Sequence, residues 1–159
     1  MRSFSLVTLL TLPLAALATP TRLDTPARTV ALEARQAVVT PPPCVPRTPE
    51  PSRAESKCIF DRFVDAFLVR KNLTEAFSYV DEGYINHSAA ATANGSAAAL
   101  DVLGPIWPTV QVQLLSEGYT GPNGTATYNI SGLGPDTLTI TDTWRMQGGC
   151  IVEHWDTTS

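Results

Sequence analysis

The chain has 159 residues, of which 43% are hydrophobic and 16% charged, and its formal net charge is −4. No run of Lys or Arg occurs, so the basic surface that nucleic-acid-binding proteins need is missing, and we expect no nucleic-acid partner. The length is enough for one small domain of about a hundred residues with one core, preceded by N-terminal segments outside it.

The N-terminus has the pattern of a secretory signal peptide. Met1-Arg2 supplies a basic start, an apolar stretch follows, and Ala16-Leu17-Ala18 forms a small-x-small cleavage site, which predicts a signal peptide over residues 1–18. No other stretch approaches the ~18 to 20 apolar residues that span a bilayer. We therefore expect a secreted, extracellular protein without a membrane partner.

Glycosylation acceptors support secretion. The sequence contains five Asn-x-Ser/Thr motifs. We predict glycans at four of them: Asn72, Asn94, Asn123 and Asn129. The fifth, at Asn86, lies inside a motif discussed below; either Asn86 is exposed or that acceptor is unused.

Residues 19–53 are predicted to be a disordered, Pro-rich tail or propeptide. Six prolines fall within the eleven residues 41–51, a composition that favours extended polyproline geometry and builds no core. Arg35 offers a processing site. The folded domain is therefore predicted over residues 54–159.

Three cysteines follow the signal peptide, namely Cys44, Cys58 and Cys150, which in an oxidising compartment predicts one disulfide and one unpaired cysteine. The connectivity cannot be read from the sequence. We favour Cys58 with Cys150, since both belong to predicted folded elements and Cys44 lies in the Pro-rich segment.

Three helices are predicted first. Apolar residues recur at helical spacing over residues 54–70, with charged residues between them, and form an amphipathic helix. Asn72 can cap a second helix over residues 73–80, and Ser96 a third through Leu103, ended by Gly104-Pro105.

Four strands follow. Alternating and β-branched residues predict strands over 110–119, 125–131, 137–146 and 150–157, separated by Gly- and Pro-containing turns. Helices followed by antiparallel strands indicate an α+β domain with the helices packed on one face of the sheet.

The last hairpin places polar side chains inward. A three-residue loop, residues 147–149, would pair Asp142 with His154 and Trp144 with Val152. Because side chains at i and i+2 of a strand share a face, Asp142, His154 and Asp156 would then project into an apolar interior. Buried carboxylates are costly unless paired, so their presence suggests a functional site.

Three sequence blocks resemble the SnoaL-like polyketide-cyclase family of the NTF2-like superfamily, and more narrowly its secreted fungal members. The blocks are residues 76–87 (AFSYVDEGYINH), 142–145 (DTWR) and 149–156 (GCIVEHWD), and the resemblance covers about residues 58–157. It implies a cone-shaped, strongly curved antiparallel sheet wrapped around helices, with an internal cavity.

The resemblance also implies a reaction. Cyclases of this type close a ring by an intramolecular aldol reaction with an aspartate acid/base and without a metal or organic cofactor. Asp156 best matches that aspartate, with His87 as its hydrogen-bond partner and Asp142 as a neighbour. The family often continues Tyr-Ile-x-His with Asn-Pro, whereas this chain has Ser88-Ala89, so the turn beside the pocket is expected to differ.

Two functions follow as hypotheses. The first is a cyclase or isomerase acting on a small apolar carbonyl compound, with Asp156 and His87 catalytic. The substrate-binding residues would be Tyr84, Asn86, Asp142, Trp144 and His154. The second is a non-catalytic module that holds a small ligand, or a secreted interaction protein.

A metal site is not expected, because no short-range ligand spacing such as His-x-x-x-His occurs. The outer sheet face is a candidate homodimer surface, where Ile151 and Trp155 are predicted to point outward.

Overall fold

The structure is a computed structural model that describes residues 38–159. The predicted signal peptide and the first half of the predicted tail lie outside these residues. The elements in chain order are α1 (Arg53–Val64) with a π-helical turn (Asp65–Val69), α2 (Leu73–Phe77), β1 (Val80–Asn86), α3 (Ser96–Ile106), β2 (Gln111–Tyr119), β3 (Asn123–Ser131), β4 (Leu138–Gln147) and β5 (Cys150–Thr158). None of the helices within residues 38–159 has the length and hydrophobicity that a membrane span requires.

The expected α+β class is confirmed, with one additional strand. The five strands form one curved sheet in the order β1-β5-β4-β3-β2. Strand β1 runs parallel to β5, whereas all other neighbours are antiparallel. The prediction of four antiparallel strands was therefore incomplete, because the block around Tyr84 forms β1. Its inward Tyr84 and outward Ile85 follow the two-residue period of a strand.

The first two helices begin where the sequence predicts. Ser52 and Glu55 form a capping box, in which Ser52 Oγ accepts from the Glu55 amide at 3.3 Å and the Ser52 amide donates to Glu55 at 2.9 Å. Asn72 caps α2 by accepting from the Glu75 amide at 3.1 Å. This helix ends at Phe77 instead of residue 80, because Val80 already pairs with β5.

Helix α3 differs from its prediction at both ends. The N-cap is Gly95, whose φ of 102° favours glycine, and its carbonyl accepts from the Ala99 amide at 3.2 Å. The helix does not end before Pro105 but continues to Ile106, since a proline in the last turn disturbs only the local hydrogen bonding.

The β4–β5 hairpin has a two-residue loop, and the predicted register near the loop was wrong. Gly148 and Gly149 both have positive φ, 60° and 85°, as such tight turns require. Gln147 then pairs with Cys150, and Met146 with Ile151. Ile151 is therefore fully buried, not outward, and only Trp155 remains of the two residues expected on a dimer surface.

A β-bulge at Val152 resets this register. Arg145 pairs with Glu153 and Met146 with Ile151, so Val152 is the extra residue in β5. Beyond the bulge Trp144 pairs with His154 and Asp142 with Asp156, and these four side chains lie on the inner face of the sheet. The expected faces of His154 and Asp156 are thus confirmed, although the predicted cross-strand partners are wrong.

Residues 38–52, here called the N-terminal strap, belong to the folded domain. The Cys44 amide donates to the Val80 carbonyl at 2.9 Å, and the Arg47 amide donates to the Gly148 carbonyl at 2.9 Å. Val38 packs against the hydrophobic core. The domain therefore extends upstream of the predicted start at residue 54.

The disulfide joins Cys44 to Cys150, across 106 residues, and the predicted pairing of Cys58 with Cys150 was wrong. The physical reason is the strap, which brings Cys44 alongside β1 with a Cα–Cα distance of 5.7 Å to Cys150. Cys58 is an exposed, free cysteine on α1, whereas Cys150 is completely buried.

Candidate functional site

A cavity of about 180 Å³ lies between the helices and the inner face of the sheet. Most of its lining is apolar. The aromatic part of the wall comes from Phe63, Phe67, Phe77, Trp107 and Trp144. Phe63 and Trp144 contact edge to face with ring centroids 5.0 Å apart, and Phe67 stacks on Trp107 at 4.5 Å. These contacts fix the shape of the wall before any ligand enters.

Two carboxylates interrupt this apolar lining at adjacent positions. Asp142 on β4 and Asp156 on β5 are direct cross-strand partners, and both line the cavity. Side chains at directly opposed positions lie close together on the same face. Asp142 is buried, with 3% of its surface exposed, whereas Asp156 is half-buried.

Asp142 is held from two sides. The Tyr128 hydroxyl donates to Asp142 Oδ2 at 2.9 Å, and His154 Nε2 lies 3.1 Å from Oδ1. The second contact has ion-pair distance but not hydrogen-bond alignment, so the buried Nε2 atom has no hydrogen-bond partner among the described residues. An expected contact between His154 and Asp142 is therefore present in the site.

Asn86 determines which nitrogen of His154 carries hydrogen. His154 Nδ1 lies 3.0 Å from Asn86 Oδ1, and the Ser88 amide donates to the same oxygen at 3.1 Å. The hydrogen bond from the Ser88 amide identifies this atom as the amide oxygen of Asn86. An amide oxygen can only accept, so the hydrogen in the contact with His154 is on Nδ1.

The second ring nitrogen of His154 faces the carboxylate. Nε2 and Asp142 Oδ1 lie 3.1 Å apart, a distance over which an imidazole nitrogen and a carboxylate oxygen can hold one proton between them.

Asp156 is held differently. Its Oδ2 accepts from the Ser88 hydroxyl at 2.7 Å. Its Oδ1 has no hydrogen-bond partner among residues 38–159. The site therefore combines a proton-holding pair with a neighbouring carboxylate that has one oxygen available as an acceptor.

Two tyrosines complete the polar wall. Burial, and then the nearby charges of Asp142 and Asp156, raise the pKa of Tyr84 and the pKa of Tyr128 well above the usual range. Both hydroxyls therefore remain protonated donors at neutral pH. Tyr84 is buried, and its ring stacks near His154 at 6.4 Å.

Trp144 belongs both to the core and to the cavity wall. It is 3% exposed, stacks on the His154 ring at 5.5 Å, and lines the cavity. Its role as a stacking surface for a flat ligand remains a prediction.

His87 lies outside this site, contrary to its predicted role beside Asp156. It is exposed, its Nε2 lies 2.8 Å from Glu153 Oε1, and its ring stacks on Trp155 at 5.0 Å on the outer face of the sheet. The reason is strand alternation: Asn86, one residue earlier, points into the cavity, so His87 points out. The two histidines do not share one pocket.

Sequence reasoning missed Ser88 and Tyr128. Ser88 takes the hydrogen-bonding position expected for His87, and its departure from the family's usual Asn-Pro was the signal that could have identified it. Tyr128 was detectable only as an inward residue in the alternating Ala126, Tyr128, Ile130 pattern of β3. Across residues 38–159, no three His, Cys, Asp or Glu side chains are arranged to hold a metal ion.

Comparisons with known proteins identify the fold. No family model matches the sequence, and no curated protein matches it. The solved structures that are similar include an NTF2-like protein of unknown function from Cytophaga hutchinsonii, with a TM-score of 0.56, 13% identity, and coverage of 65% of this chain and 89% of that one.

Two further matches carry names of activities. A candidate ketosteroid isomerase from Kribbella flavida has a TM-score of 0.55 and 16% identity, covering 67% of this chain and 78% of that one. A candidate polyketide cyclase from Sinorhizobium meliloti has a TM-score of 0.53 and 16% identity, covering 63% of this chain and 94% of that one. At these identities the likeness shows the fold alone: the chain has an NTF2-like fold, which it shares with cyclases and isomerases.

Proposed function

We propose that this protein is an enzyme that moves protons between carbon and oxygen of a small apolar carbonyl compound, as a cyclase or isomerase. The observation that carries the proposal is the cross-strand pair of Asp142 and Asp156 in an apolar cavity wall. Their partner sets differ, so one carboxylate can accept a proton while the other, with His154, can give one. The named activities of the two structural neighbours are of the same class.

The first step is enolisation. Asp156 Oδ1 removes a proton from the carbon next to the carbonyl, and the electron pair of that C–H bond becomes the C=C bond of an enol. The Asp142–His154 pair gives its proton to the carbonyl oxygen. Tyr84 is a further donor in the wall, and Trp144 would hold a flat substrate in place.

The second step distinguishes an isomerase from a cyclase. In an isomerase, protonated Asp156 returns the proton to a different carbon. In a cyclase, the enol carbon bonds to a second carbonyl carbon of the same molecule, whose oxygen takes the proton from Asp156. In both reactions the enol O–H proton returns to the Asp142–His154 pair, so no external reductant or oxidant is consumed.

Deuterium exchange tests the proposal. The two-ring ketone 2-tetralone would be incubated with the protein in D₂O, and the deuterium content next to the carbonyl followed by mass spectrometry. We expect wild-type protein to accelerate exchange and Asp156→Asn to reduce the rate about 100-fold or more while remaining folded.

Glu153→Gln is the matched control, because Glu153 precedes Asp156 by three residues on β5 but contacts His87 and Arg145 on the outer face. Its exchange rate should equal that of the wild type. Full activity of Asp156→Asn would contradict the assignment.

A binding module is the second candidate. It is supported by the small number of polar groups in the cavity and by the protein partners that Asp142 and His154 already have. A carrier would bind flat carbonyl compounds in native mass spectrometry without exchanging their protons, and Asp156→Asn would then lower affinity only modestly.

We also propose that the protein is secreted. A disulfide between Cys44 and Cys150 supports an oxidising compartment. Asn72 and Asn94 are exposed acceptors, whereas Asn123 and Asn129 are half-buried. Asn86 lines the cavity, so a glycan there would displace the His154 contact, and we propose that this acceptor is unused. Mass spectrometry of the secreted protein before and after deglycosylation tests these sites.

A further inference from the structure

The cavity lining contains acidic side chains but no Lys or Arg side chain among the described residues. The acidic side chains are Asp142 and Asp156, and the lining also contains His154. His154 contacts Asp142 and Asn86, so no basic side chain of the described lining contacts the Asp156 carboxylate. Only the Ser88 hydroxyl supports it directly.

Three basic side chains contact groups outside the cavity. Arg145 pairs with Glu153 on the outer face at 2.7 Å. Arg70 pairs with Asp65 and Glu75 at the surface. Lys71 donates to the Val110 carbonyl and does not line the cavity.

The segment after β1 adds no positive charge where it lines the cavity. Residues 88–95 read Ser-Ala-Ala-Ala-Thr-Ala-Asn-Gly, and several of them are in the wall. This segment is fixed to β1, because the Gly95 amide donates to the Tyr84 carbonyl at 2.7 Å and the Asn86 amide to Asn94 at 3.0 Å. Neither the lining nor this segment therefore supplies a cation to a bound ligand.

We infer that the cavity selects its ligand by charge, taking cationic and uncharged aromatic compounds and rejecting anionic ones. The apolar wall accepts the flat ring system of a cationic or an uncharged compound, and a cation gains additional attraction from the Asp156 carboxylate. This inference deepens the proposed function and depends on the cavity being its binding site. It restricts the substrate to a free carbonyl compound without a carboxylate, phosphate or phosphorylated carrier.

A matched set of ligands tests this inference. The probes are 2-naphthylmethylammonium, methyl 2-naphthyl ketone and 2-naphthoate, which share one skeleton and differ in charge. Isothermal titration calorimetry at low salt gives the Kd of each. We expect the ammonium to bind most tightly and the carboxylate most weakly, with about 100-fold between their Kd values, because the two probes differ by two unit charges beside Asp156.

Asp156→Asn keeps the side-chain volume and removes the charge. It should therefore reduce the ratio of the 2-naphthoate Kd to the ammonium Kd by about tenfold or more. Glu153→Gln removes a carboxylate from the outer face and should leave the ratio unchanged. Near-ultraviolet circular dichroism would verify that both variants are folded, and the wild-type order alone tests the inference if Asp156→Asn fails to fold.

Three results would overturn the inference: binding of 2-naphthoate as tightly as the ammonium, a ratio unaffected by Asp156→Asn in folded protein, or no binding of any probe. The exchange assay with 2-tetralone distinguishes a failure of the charge-selection inference from a failure of the proposed enzyme activity. Charge selection without exchange would contradict only the enzyme, and exchange without charge selection would contradict only the inference.

Discussion

The two faces of the sheet carry the same three side-chain types in opposite environments. On the inner face, His154 stacks on Trp144 at 5.5 Å and contacts Asp142 at 3.1 Å. On the outer face, His87 stacks on Trp155 at 5.0 Å and contacts Glu153 at 2.8 Å. We call these the inner and outer trios.

Burial and further partners distinguish the trios. Asp142 and His154 are buried, and Tyr128 and Asn86 fix their orientation. His87 and Arg145 surround Glu153 at the surface, where water and salt screen the charges. A His, a Trp and a carboxylate therefore indicate a functional site only where their surroundings exclude water and hold their protons in defined positions.

The largest expected contrast is in stability. Asp142→Ala leaves the Tyr128 hydroxyl and His154 without their buried partner and should reduce the free energy of unfolding by about 3 to 5 kcal/mol. Glu153→Ala should leave the urea midpoint almost unchanged. The double variant Asp142→Leu, His154→Leu should recover part of the loss, because the buried imidazole is no longer left without Asp142, whereas the Tyr128 hydroxyl still is. Equal losses for both single variants would contradict the distinction.

A smaller contrast is expected in activity. His154→Phe removes half of the proton-holding pair and should slow 2-tetralone exchange by about 100-fold, corresponding to about 2.7 kcal/mol of barrier. His87→Phe keeps the stacking on Trp155 and should slow exchange less than twofold, an expectation that follows from the exposed position of His87. A larger effect of His87→Phe than of His154→Phe would reverse the roles assigned to the two trios.

The smallest contrast is in the pH dependence of stability. Burial and Asp142 raise the pKa of Tyr128, so its contribution is complete below pH 10 and is lost as the pH rises above 10. His87 and then Arg145 lower the pKa of Glu153 from 4.5, so its contribution is present above pH 4.5 and is lost as the pH falls through the lowered pKa.

Thermal unfolding between pH 3 and 11 would give the melting temperature as a function of pH, with an acid and an alkaline flank on which stability falls. Tyr128→Phe should flatten the alkaline flank, and Glu153→Gln the acid flank. Added salt should weaken only the second effect, since Glu153 is near the surface and Tyr128 is buried. If Tyr128→Phe and Glu153→Gln both changed the same flank of this curve, the two trios would not be independent.

Much of the inner site could be predicted from the sequence alone. Tyr84, Asn86, Asp142, Trp144, His154 and Asp156 were all predicted as pocket residues, and all line the cavity. Period-two alternation is a local property, so it assigned His154 and Asp156 to one face and Trp155 to the other. It also indicated four of the five strands.

The predictions that were wrong or incomplete concern contacts between residues that are far apart in the sequence. Alternation could not show that a bulge at Val152 would compensate for a two-residue loop, since the bulge is defined only by the partner strand. The β1 strand was missed because its pairing partner, β5, lies some 70 residues later. The predicted disulfide was wrong for a related reason: a Pro-rich segment has the composition of a tail, and its attachment to the domain through backbone hydrogen bonds to Val80 and Gly148 and packing of Val38 involves residues distant in the sequence.

By itself, then, the sequence determined the α+β class, the amphipathic α1 and the faces of His154, Trp155 and Asp156, because each follows from local periodicity. The residue types of the pocket were indicated by this periodicity together with the resemblance to a known family. Only the tertiary structure decided that His87 lies outside the pocket, that Ser88 and Tyr128 hold the two carboxylates, and that Cys44 closes the disulfide. Those outcomes depend on which strands become neighbours, and neighbours in space are fixed by the packing of the whole domain rather than by any short segment.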